Sequence, residues 1–357
     1  MRRIIIGLIL AVAFVLGLGW LLRGQIALAL FRHQVAQVLS RDAISELPDG
    51  LHVGLCGAGS PIPGPDRAGP CVVVIAGKHM YLVDAGDGGA RNLARMGFTP
   101  ARLDAVFLTH FHSDHIDGLG GLMLQRWGAA SARSPLPIYG PTGVETVVAG
   151  FNQAYSLDRG YRIAHHGPEV VPPTGFGGEA KAFEPAAGGA LTPLLDQDGV
   201  KVFAFAVDHG PVHPAVGYMI TYKVRKVVIS GDTRKTASVQ TAAEGADLLV
   251  HEALSPAMVK IQEDAARAAG KANLAKVFHD IVGYHTTPEE AAEVARDAHV
   301  RFLLLDHIVP PLPIDALEGP FLGKARQIFT GPLRVGHDGD WVSLPAGGVE
   351  VRLSRRF

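Results

Sequence analysis

The sequence feature that most constrains the fold is the run Thr-His-Phe-His-Ser-Asp-His at residues 109–115. It ends an apolar stretch typical of a buried strand, so its side chains emerge at the strand's carboxyl end. Four metal-binding side chains within six positions cannot all serve one tetrahedral ion. We expect His110 and His112 to share one ion, and Asp114 and His115 to turn toward a second. Nitrogen and carboxylate oxygen suit zinc, and a histidine-rich surface loop explains this spacing poorly.

The composition of the 357-residue chain is that of a folded protein, with 48% hydrophobic and 19% charged residues. It excludes a disordered or collagen-like chain. Lys and Arg total 33 and Asp and Glu 34, so the net charge is -1 and no general basic field attracts nucleic acid. Two cysteines exclude a multi-disulfide scaffold and a thiolate zinc finger. The 16 histidines offer neutral nitrogen ligands.

Residues 4–22 form an uncharged, apolar segment. As a helix it would span about 28 Å, close to a bilayer core and longer than the apolar part of a typical signal peptide. We therefore favour an uncleaved transmembrane anchor over a cleaved signal. The positive-inside rule keeps Arg2 and Arg3 in the cytoplasm and places the rest outside, on the periplasmic side. Cleavage would instead release a secreted protein.

Three regions follow from this pattern. Residues 1–23 are the transmembrane anchor or signal, and residues 24–50 are a juxtamembrane helix and linker ending at a turn, Leu-Pro-Asp-Gly. Residues 51–357 form one large catalytic domain.

Within residues 51–357, strand runs come first and strand–helix alternation comes later. Sheets covered by helices are the expected result. The predicted strands cover residues 51–56, 71–76, 79–83, 103–109, 137–139, 200–207, 216–224, 227–230, 247–250, 302–305 and 341–344. The predicted helices cover residues 116–127, 143–155, 256–270 and 288–298. Thr287, Pro288 and Glu290 give the last helix an N-cap, a first-position proline and a capping-box glutamate.

Cys56 and Cys71 flank a predicted hairpin loop. In an exported domain they could form a disulfide. Spacing alone supplies no geometry, and we favour two packed free thiols.

The His-x-His-x-Asp-His spacing resembles the metallo-β-lactamase superfamily from about residue 51 to the end of the chain. Four further motifs occur in the family's order: Val83-Asp84-Ala85-Gly86, Asp208-His209-Gly210, Ser230-Gly231-Asp232-Thr233 and Leu305-Asp306-His307. The resemblance implies an α/β fold, the four-layer αββα sandwich, preceded here by one N-terminal transmembrane helix.

The same resemblance implies two divalent metal ions, with zinc favoured over manganese and iron. The implied ligands are His110, His112, Asp114, His115, His209, Asp232 and His307. Asp232 and a hydroxide would bridge the ions, and Asp84 would support the metal loop from behind. In such a scheme the hydroxide is the nucleophile at neutral pH.

Within the superfamily the chain is most similar to ribonuclease Z and the arylsulfatase-like enzymes. The motifs that show this similarity are Tyr139-Gly140-Pro141, Ser230-Gly231-Asp232-Thr233, His251-Glu252-Ala253 and Tyr284-His285-Thr286-Thr287. The resemblance assigns catalytic roles to Asp232 and to His285, which would assist the leaving group. His251 and Glu252 would orient the ligands or His285.

Two departures from ribonuclease Z bear on the substrate. That family carries a tRNA-gripping arm between the Gly-Tyr strand and the Ser-Gly-Asp-Thr strand, whereas residues 219–229 here allow only a tight hairpin. The early Gly-Thr-Gly of the family is Gly57-Ala58-Gly59. Because the chain is also neutral and predicted to be exported, we expect a hydrolase of small, anionic sulfate or phosphate esters and disfavour nucleic acid as a partner.

Several alternatives remain. They are a ribonuclease Z-type tRNA 3′-processing endoribonuclease, a lactonase or β-lactamase-type acyl hydrolase, and iron-dependent oxygen or persulfide chemistry. A non-catalytic, membrane-anchored binding domain is disfavoured by the complete ligand set. A homodimer is left open.

The remaining histidines are weaker candidates. Those expected near the pocket mouth, as substrate contacts, are His213, His165, His166 and His279. Residues 254–280 form an insertion that would either roof the pocket or make a peripheral helix pair.

Overall fold

The computed structural model describes residues 2–64 and 67–357. It divides into an N-terminal unit that ends at Glu46 and a second unit over Leu47–Phe357. This boundary falls inside the linker predicted over residues 24–50.

The N-terminal unit is dominated by one helix, α1 (Arg2–Ser40), of 39 residues. None of its side chains is buried, and it is the one helix in the described chain long and apolar enough to cross a membrane. It continues without a break through residue 23, where the sequence suggested a division. A helix that is apolar all round is typical of a membrane span.

The second unit contains fifteen described strands. They are β1 (Gly50–Gly57), β2 (Cys71–Ala76), β3 (His79–Val83), β4 (Leu103–Phe107), β5 (Leu136–Pro141), β6 (Gly178–Phe183), β7 (Thr192–Gln197), β8 (Val200–Ala206), β9 (Val216–Tyr222), β10 (Arg225–Ile229), β11 (Leu248–Leu254), β12 (Leu303–Val309), β13 (Leu333–Val335), β14 (Asp340–Pro345) and β15 (Arg352–Arg355).

The α-helices of this unit are interspersed among the strands along the chain. They are α2 (Gly89–Arg95), α3 (Ser113–Ile116), α4 (Leu119–Ala130), α5 (Val144–Ala154), α6 (Ser156–His166), α7 (Ala237–Ala243), α8 (Pro256–Ala268), α9 (Ala272–Ile281), α10 (Pro288–Asp297), α11 (Glu318–Leu322) and α12 (Ala325–Ile328). Helix α10 begins with the predicted capping box between Thr287 and Glu290.

The strands form two sheets. The first has the order β15-β14-β1-β2-β3-β4-β5-β6, and the second has the order β13-β12-β11-β10-β9-β8-β7. Strands β3 to β6 run parallel to one another, and so do β10 to β13. Parallel strands present their carboxyl ends at one edge, and this edge carries the predicted motifs.

The sheets are stacked with one core between them. Leu55, Val74, Phe107, Ile220 and Leu304 are fully buried members of this core. A second cluster fills the space between the β10–β12 sheet face and helices α7 and α10. Helices α2, α4 and α5 contact the first sheet from its other side. The unit is therefore the expected four-layer αββα sandwich.

Two differences from the sequence-based predictions stand out. The pattern did not predict β6 or β7. Strand β6 alternates apolar and polar residues, but the apolar positions of that alternation are Gly and Ala, which favour strands weakly, and β7 carries a proline at its second position. Cys56 and Cys71 form a disulfide, so the preference for free thiols is wrong. The two cysteines lie on the paired strands β1 and β2, whose register brings them together across the intervening loop.

Candidate metal centre

The predicted ligands converge at the carboxyl edge of the sheets. Asp84 follows β3, the histidine run follows β4, and His209 lies in the loop between β8 and β9. Asp232 follows β10, and His307 lies within β12. Segments far apart in sequence thus meet because their strands end at one edge.

Three histidines form one half of this site, here called the nitrogen half. The Nδ1 atom of His112 lies 3.0 Å from Nε2 of His110 and 3.3 Å from Nε2 of His209. Together with Asp232 these residues place one ligand atom each within 4.8 Å of one another. His110 and His209 are buried, and His112 is exposed.

The second half, here called the carboxylate half, contains Asp114, His115 and His307, all buried. Nε2 of His307 lies 3.3 Å from Oδ2 of Asp114, and Nε2 of His115 lies 3.5 Å from the same oxygen. This half therefore brings a carboxylate and two imidazoles to one point.

Asp232 stands between the two halves. Its Oδ2 lies 3.8 Å from Nε2 of His209 on one side, and 3.4 Å and 3.3 Å from Nε2 of His115 and His307 on the other. Gly231 is required beside it. Its φ is +61°, and a Cβ there would lie 2.7 Å from the carbonyl oxygen of Val216.

Hydrogen bonds behind the ligands aim the rings. Asp84 accepts from the backbone and hydroxyl of Thr109, each at 2.8 Å, and its Oδ2 lies 2.8 Å from Nδ1 of His115. The Thr109 hydroxyl also lies 3.0 Å from Nδ1 of His110. His209 directs Nδ1 at the carbonyl oxygen of Tyr284, 3.1 Å away. Each ring therefore keeps Nε2 for the centre.

The pKa values of the histidines in the two halves move in opposite directions. Burial lowers the pKa of His110 well below its usual value and that of His209 to about 4. Burial would also lower the pKa of His307, but Asp232 and Asp114 raise it to about 9. The pKa of His115 likewise rises despite burial, because of Asp232 and Asp84.

These observations test whether the residues fit metal ions. Nε2 of His115, which faces the centre, is buried and has no hydrogen-bond partner among the described residues. In the nitrogen half, neutral imidazole nitrogens face one another and offer lone pairs to a cation. In the carboxylate half, the clustered carboxylates attract positive charge, which raises the histidine pKa values here and would equally attract a cation. The residues therefore fit two ions.

His285 lies beside both halves, in a third group with Asp232 and His307. Its Nδ1 lies 3.0 Å from Oε1 of Glu252. The same oxygen accepts from the backbone nitrogens of Thr233 and Thr286, at 3.1 and 3.0 Å. Glu252 is buried, and burial, followed by the Asp232 charge, raises its pKa well above the usual value. The carboxyl group thus fixes both His285 and the two loops beside it.

Not every predicted residue reaches the centre. His251 is buried within β11, with Nδ1 2.8 Å from the backbone oxygen of Glu252, the residue that holds His285. His213 is exposed, as are His165 and His166 at the end of α6. His279 is exposed and lies 3.6 Å from Glu263 on the α8–α9 hairpin. The structure records no contact between these four exposed histidines and the ligand set.

Sequence reasoning missed two supporting groups, the Thr109 hydroxyl and the Tyr284 carbonyl. Thr109 directly precedes the motif, so its position was a usable signal. A backbone carbonyl leaves no trace in residue type, and no signal could have found the Tyr284 contact.

Comparisons with known proteins agree with this geometry. The profile of the Metallo-beta-lactamase superfamily matches residues 64–280. Ribonuclease Z of Mycobacterium bovis (strain BCG / Pasteur 1173P2) is 38% identical over 291 residues, which cover 81% of this chain and 96% of the relative. Ribonuclease Z of Mycobacterium avium (strain 104) is 37% identical over 290 residues, with 81% and 96% coverage.

Solved structures resemble the fold. YhfI from Bacillus subtilis, a metallo-beta-lactamase fold protein, has a TM-score of 0.60 at 22% identity, with 83% of this chain and 100% of that chain covered. The short form of human tRNase Z has a TM-score of 0.58 at 23% identity, with 82% and 99% coverage.

The relatives overturn two expectations. The small sulfate or phosphate ester was the favoured substrate, and nucleic acid was disfavoured as a partner. Both are wrong, because proteins named ribonuclease Z match this chain over nearly their whole length. The tight hairpin is present, with β9 and β10 joined at Lys223 and Val224, so the missing arm was read correctly but weighed too heavily. Overall charge also misled, since a net value says nothing about local distribution.

Proposed function

Because this chain belongs to the metallo-β-lactamase superfamily, in its ribonuclease Z branch, we propose that it cleaves RNA phosphodiester bonds as a ribonuclease Z-type endoribonuclease. It is a metal-dependent hydrolase acting on ester bonds. The observation that carries the RNA substrate is the 38% identity to ribonuclease Z over 96% of that protein. The 3′ extension of a tRNA precursor is the substrate we propose to test first.

Two ions would be held by the nitrogen half and the carboxylate half, with Asp232 shared. We propose zinc, since the donors are imidazole and carboxylate and no cysteine lies among them. When bound, such ions lower the pKa of a water molecule and polarise a phosphoryl oxygen.

The protein's own contribution to proton transfer rests on His285. Hydrolysis forms a bond from a water oxygen to phosphorus and breaks the bond to the leaving ribose oxygen, which must gain a proton. Glu252 holds Nδ1 of His285 at 3.0 Å and leaves Nε2 for the reacting groups. Nε2 can take the proton of the attacking water and pass it to the leaving oxygen. Burial lowers the pKa of His285 to about 4, which favours return to the neutral ring.

The test uses the purified full-length protein, loaded with zinc and incubated with a 3′-extended tRNA precursor. We expect a single endonucleolytic cut that is lost in Asp232→Asn. The matched control is Asp264→Asn, an exposed helix carboxylate. An intact RNA alongside turnover of bis(p-nitrophenyl) phosphate would refute the RNA substrate while leaving the hydrolase assignment standing.

We also propose that α1 anchors the protein in a membrane, with the second unit outside the cytoplasm. The apolar helix and the Cys56–Cys71 disulfide support this, because disulfides persist in oxidising compartments. The RNA met by the enzyme would then be RNA outside the cytoplasm.

Carboxyl-terminal fusions test the orientation. We expect an active alkaline phosphatase fusion and a dark green fluorescent protein fusion, and the reverse pair would place the domain in the cytoplasm.

A further inference from the structure

A large cavity of the second unit lies outside the metal centre. It has a volume of about 1300 Å³ and is bounded by α2, β13, the loop after β12 and the end of the chain. Six arginines line it, and no lysine is among the described lining residues. They are Arg67, Arg91, Arg95, Arg326, Arg334 and Arg355.

The accessible charge in this cavity is mainly positive. Arg91, Arg95, Arg326 and Arg355 are exposed, whereas only two of the lining carboxylates, Asp87 and Asp315, are exposed. The other two lining carboxylates are already engaged. Asp338 is buried and accepts from the backbone of Ala58 and Ala68 and from Asn92, and Glu318 pairs with His337 at 2.8 Å.

The exposed guanidinium groups retain donors for a ligand. Arg326 donates one terminal nitrogen to the carbonyl oxygen of Leu333 at 3.0 Å, and Arg355 donates one to that of Asp338 at 3.4 Å. Arg91 makes no hydrogen bond or ion pair with any described residue. Arginine binds phosphate through two parallel N–H donors, which makes an arginine-only lining more specific than a lysine patch.

An aromatic ring adds a second kind of contact. The guanidinium of Arg95 lies 3.7 Å from the ring centre of Phe357, and both line the cavity. Arginine beside an aromatic face is a combination found where proteins hold nucleic-acid strands, because bases stack and phosphates pair.

The cavity and the metal centre share chain segments. The turn after β3 places Asp84 behind the ligands and Asp87 in the cavity wall. The segment through β12 places His307 in the centre and continues to Leu312 in the wall. A nucleic-acid strand that contacts one of these two regions can therefore extend to the other.

We infer that this arginine-lined cavity binds the phosphate backbone of the RNA substrate, as a contact region separate from the metal centre. The inference rests on the proposed function for its ligand. The cavity supplies local positive charge that the net charge of -1 does not show.

The test compares two triple variants of the full-length protein. The cavity variant is Arg91→Ala/Arg326→Ala/Arg355→Ala. The control is Arg133→Ala/Arg296→Ala/Arg301→Ala, three exposed arginines that do not line the cavity. Each removes the same charge. Affinity for a fluorescein-labelled tRNA precursor is measured by anisotropy at several salt concentrations, in an Asp232→Asn background that leaves the RNA intact.

We expect the Kd of the cavity variant to be about tenfold higher or more. The slope of log Kd against log salt concentration should fall by the amount that corresponds to the loss of about two to three phosphate contacts. The control should change Kd less than about twofold. Without the Asp232 change, both variants should hydrolyse bis(p-nitrophenyl) phosphate at the wild-type rate, which shows that the centre is intact.

Three outcomes overturn the inference. The first is an equal change of Kd in both variants, and the second is the absence of RNA binding by the parent protein. The third is a cavity variant that binds RNA normally but no longer binds anionic lipid vesicles. RNA that binds through the cavity but is never cut by the zinc enzyme would instead reject the proposed function and keep the binding site.

Discussion

The nitrogen half and the carboxylate half of the centre differ in how their charge is balanced. In the nitrogen half, burial keeps His110 and His209 neutral, and a hydroxyl and a backbone carbonyl aim their rings. In the carboxylate half, against the effect of burial, Asp232 and Asp84 raise the pKa of His115, and Asp232 and Asp114 raise the pKa of His307.

Backbone geometry follows the same division. Asp84 has a φ of +60° and His307 has a φ of +43°, both in the left-handed region, and both serve the carboxylate half. Such conformations persist where the surroundings impose them. The carboxylate half therefore has the more strained backbone and the greater need of a bound cation to balance its charge. The predictions below test how the two halves depend on each other.

The largest effect is expected at Asp232, the carboxylate that both halves share. Asp232→Asn should reduce bound zinc from two ions to less than one and lower activity by more than the roughly 100-fold typical of an outer ligand partner. Elemental analysis after dialysis and RNA cleavage assays measure the two effects. Retention of two ions would show that the halves do not depend on a common ligand.

The next effect separates the halves. His112→Ala should lose the ion of the nitrogen half and keep the other, whereas His307→Ala should lose the ion of the carboxylate half. Zinc stoichiometry near one in each variant, with the exposed His213→Ala staying at two, would support two distinct sites. Stoichiometry of zero in both would show that the ions bind only together.

A smaller effect is expected beside the halves, at His285. His285→Ala and Glu252→Gln should each slow RNA cleavage by about 10²- to 10⁴-fold, because proton transfer is impaired. Both should keep two ions, and both should lose less activity on bis(p-nitrophenyl) phosphate, whose leaving group needs no proton. His279→Ala serves as the control. Loss of an ion in His285→Ala would make this residue a ligand.

The smallest effect is expected at Thr109, whose hydroxyl joins Asp84 in one half to His110 in the other. Thr109→Val should reduce the free energy of unfolding by about 1–3 kcal/mol, because a buried polar group loses its partner. Thr109→Ser keeps the hydroxyl and should restore most of it. Urea unfolding of the metal-free proteins measures this difference, and equal stability of all three would remove Thr109 from the account.

How much of this could be read from the sequence depends on distance along the chain. His110, His112, Asp114 and His115 lie within one six-residue segment, so their spacing alone predicted two sites. His209, Asp232 and His307 were reached only through family resemblance, because strand order brings them to the loop.

Other features could not be predicted at all. The cavity arginines range from Arg67 to Arg355 and share no motif, so only the fold collects them. The pairing of Cys56 with Cys71 needed the register of β1 and β2. The total charge and the short hairpin favour a small substrate and the motifs favour ribonuclease Z, and neither charge nor hairpin length shows where positive charge lies on the folded surface.

The spread of the ligands along the chain also orders events during synthesis and folding. Asp84 leaves the ribosome long before His307, and the carboxylate half has no second histidine until β12 has been made. A nascent chain that ends before residue 303 contains every ligand of the nitrogen half but lacks one histidine of the carboxylate half. The ligand set of the carboxylate half is therefore complete only when β12 has joined its sheet, so a second ion would be captured late, when the sandwich is nearly finished.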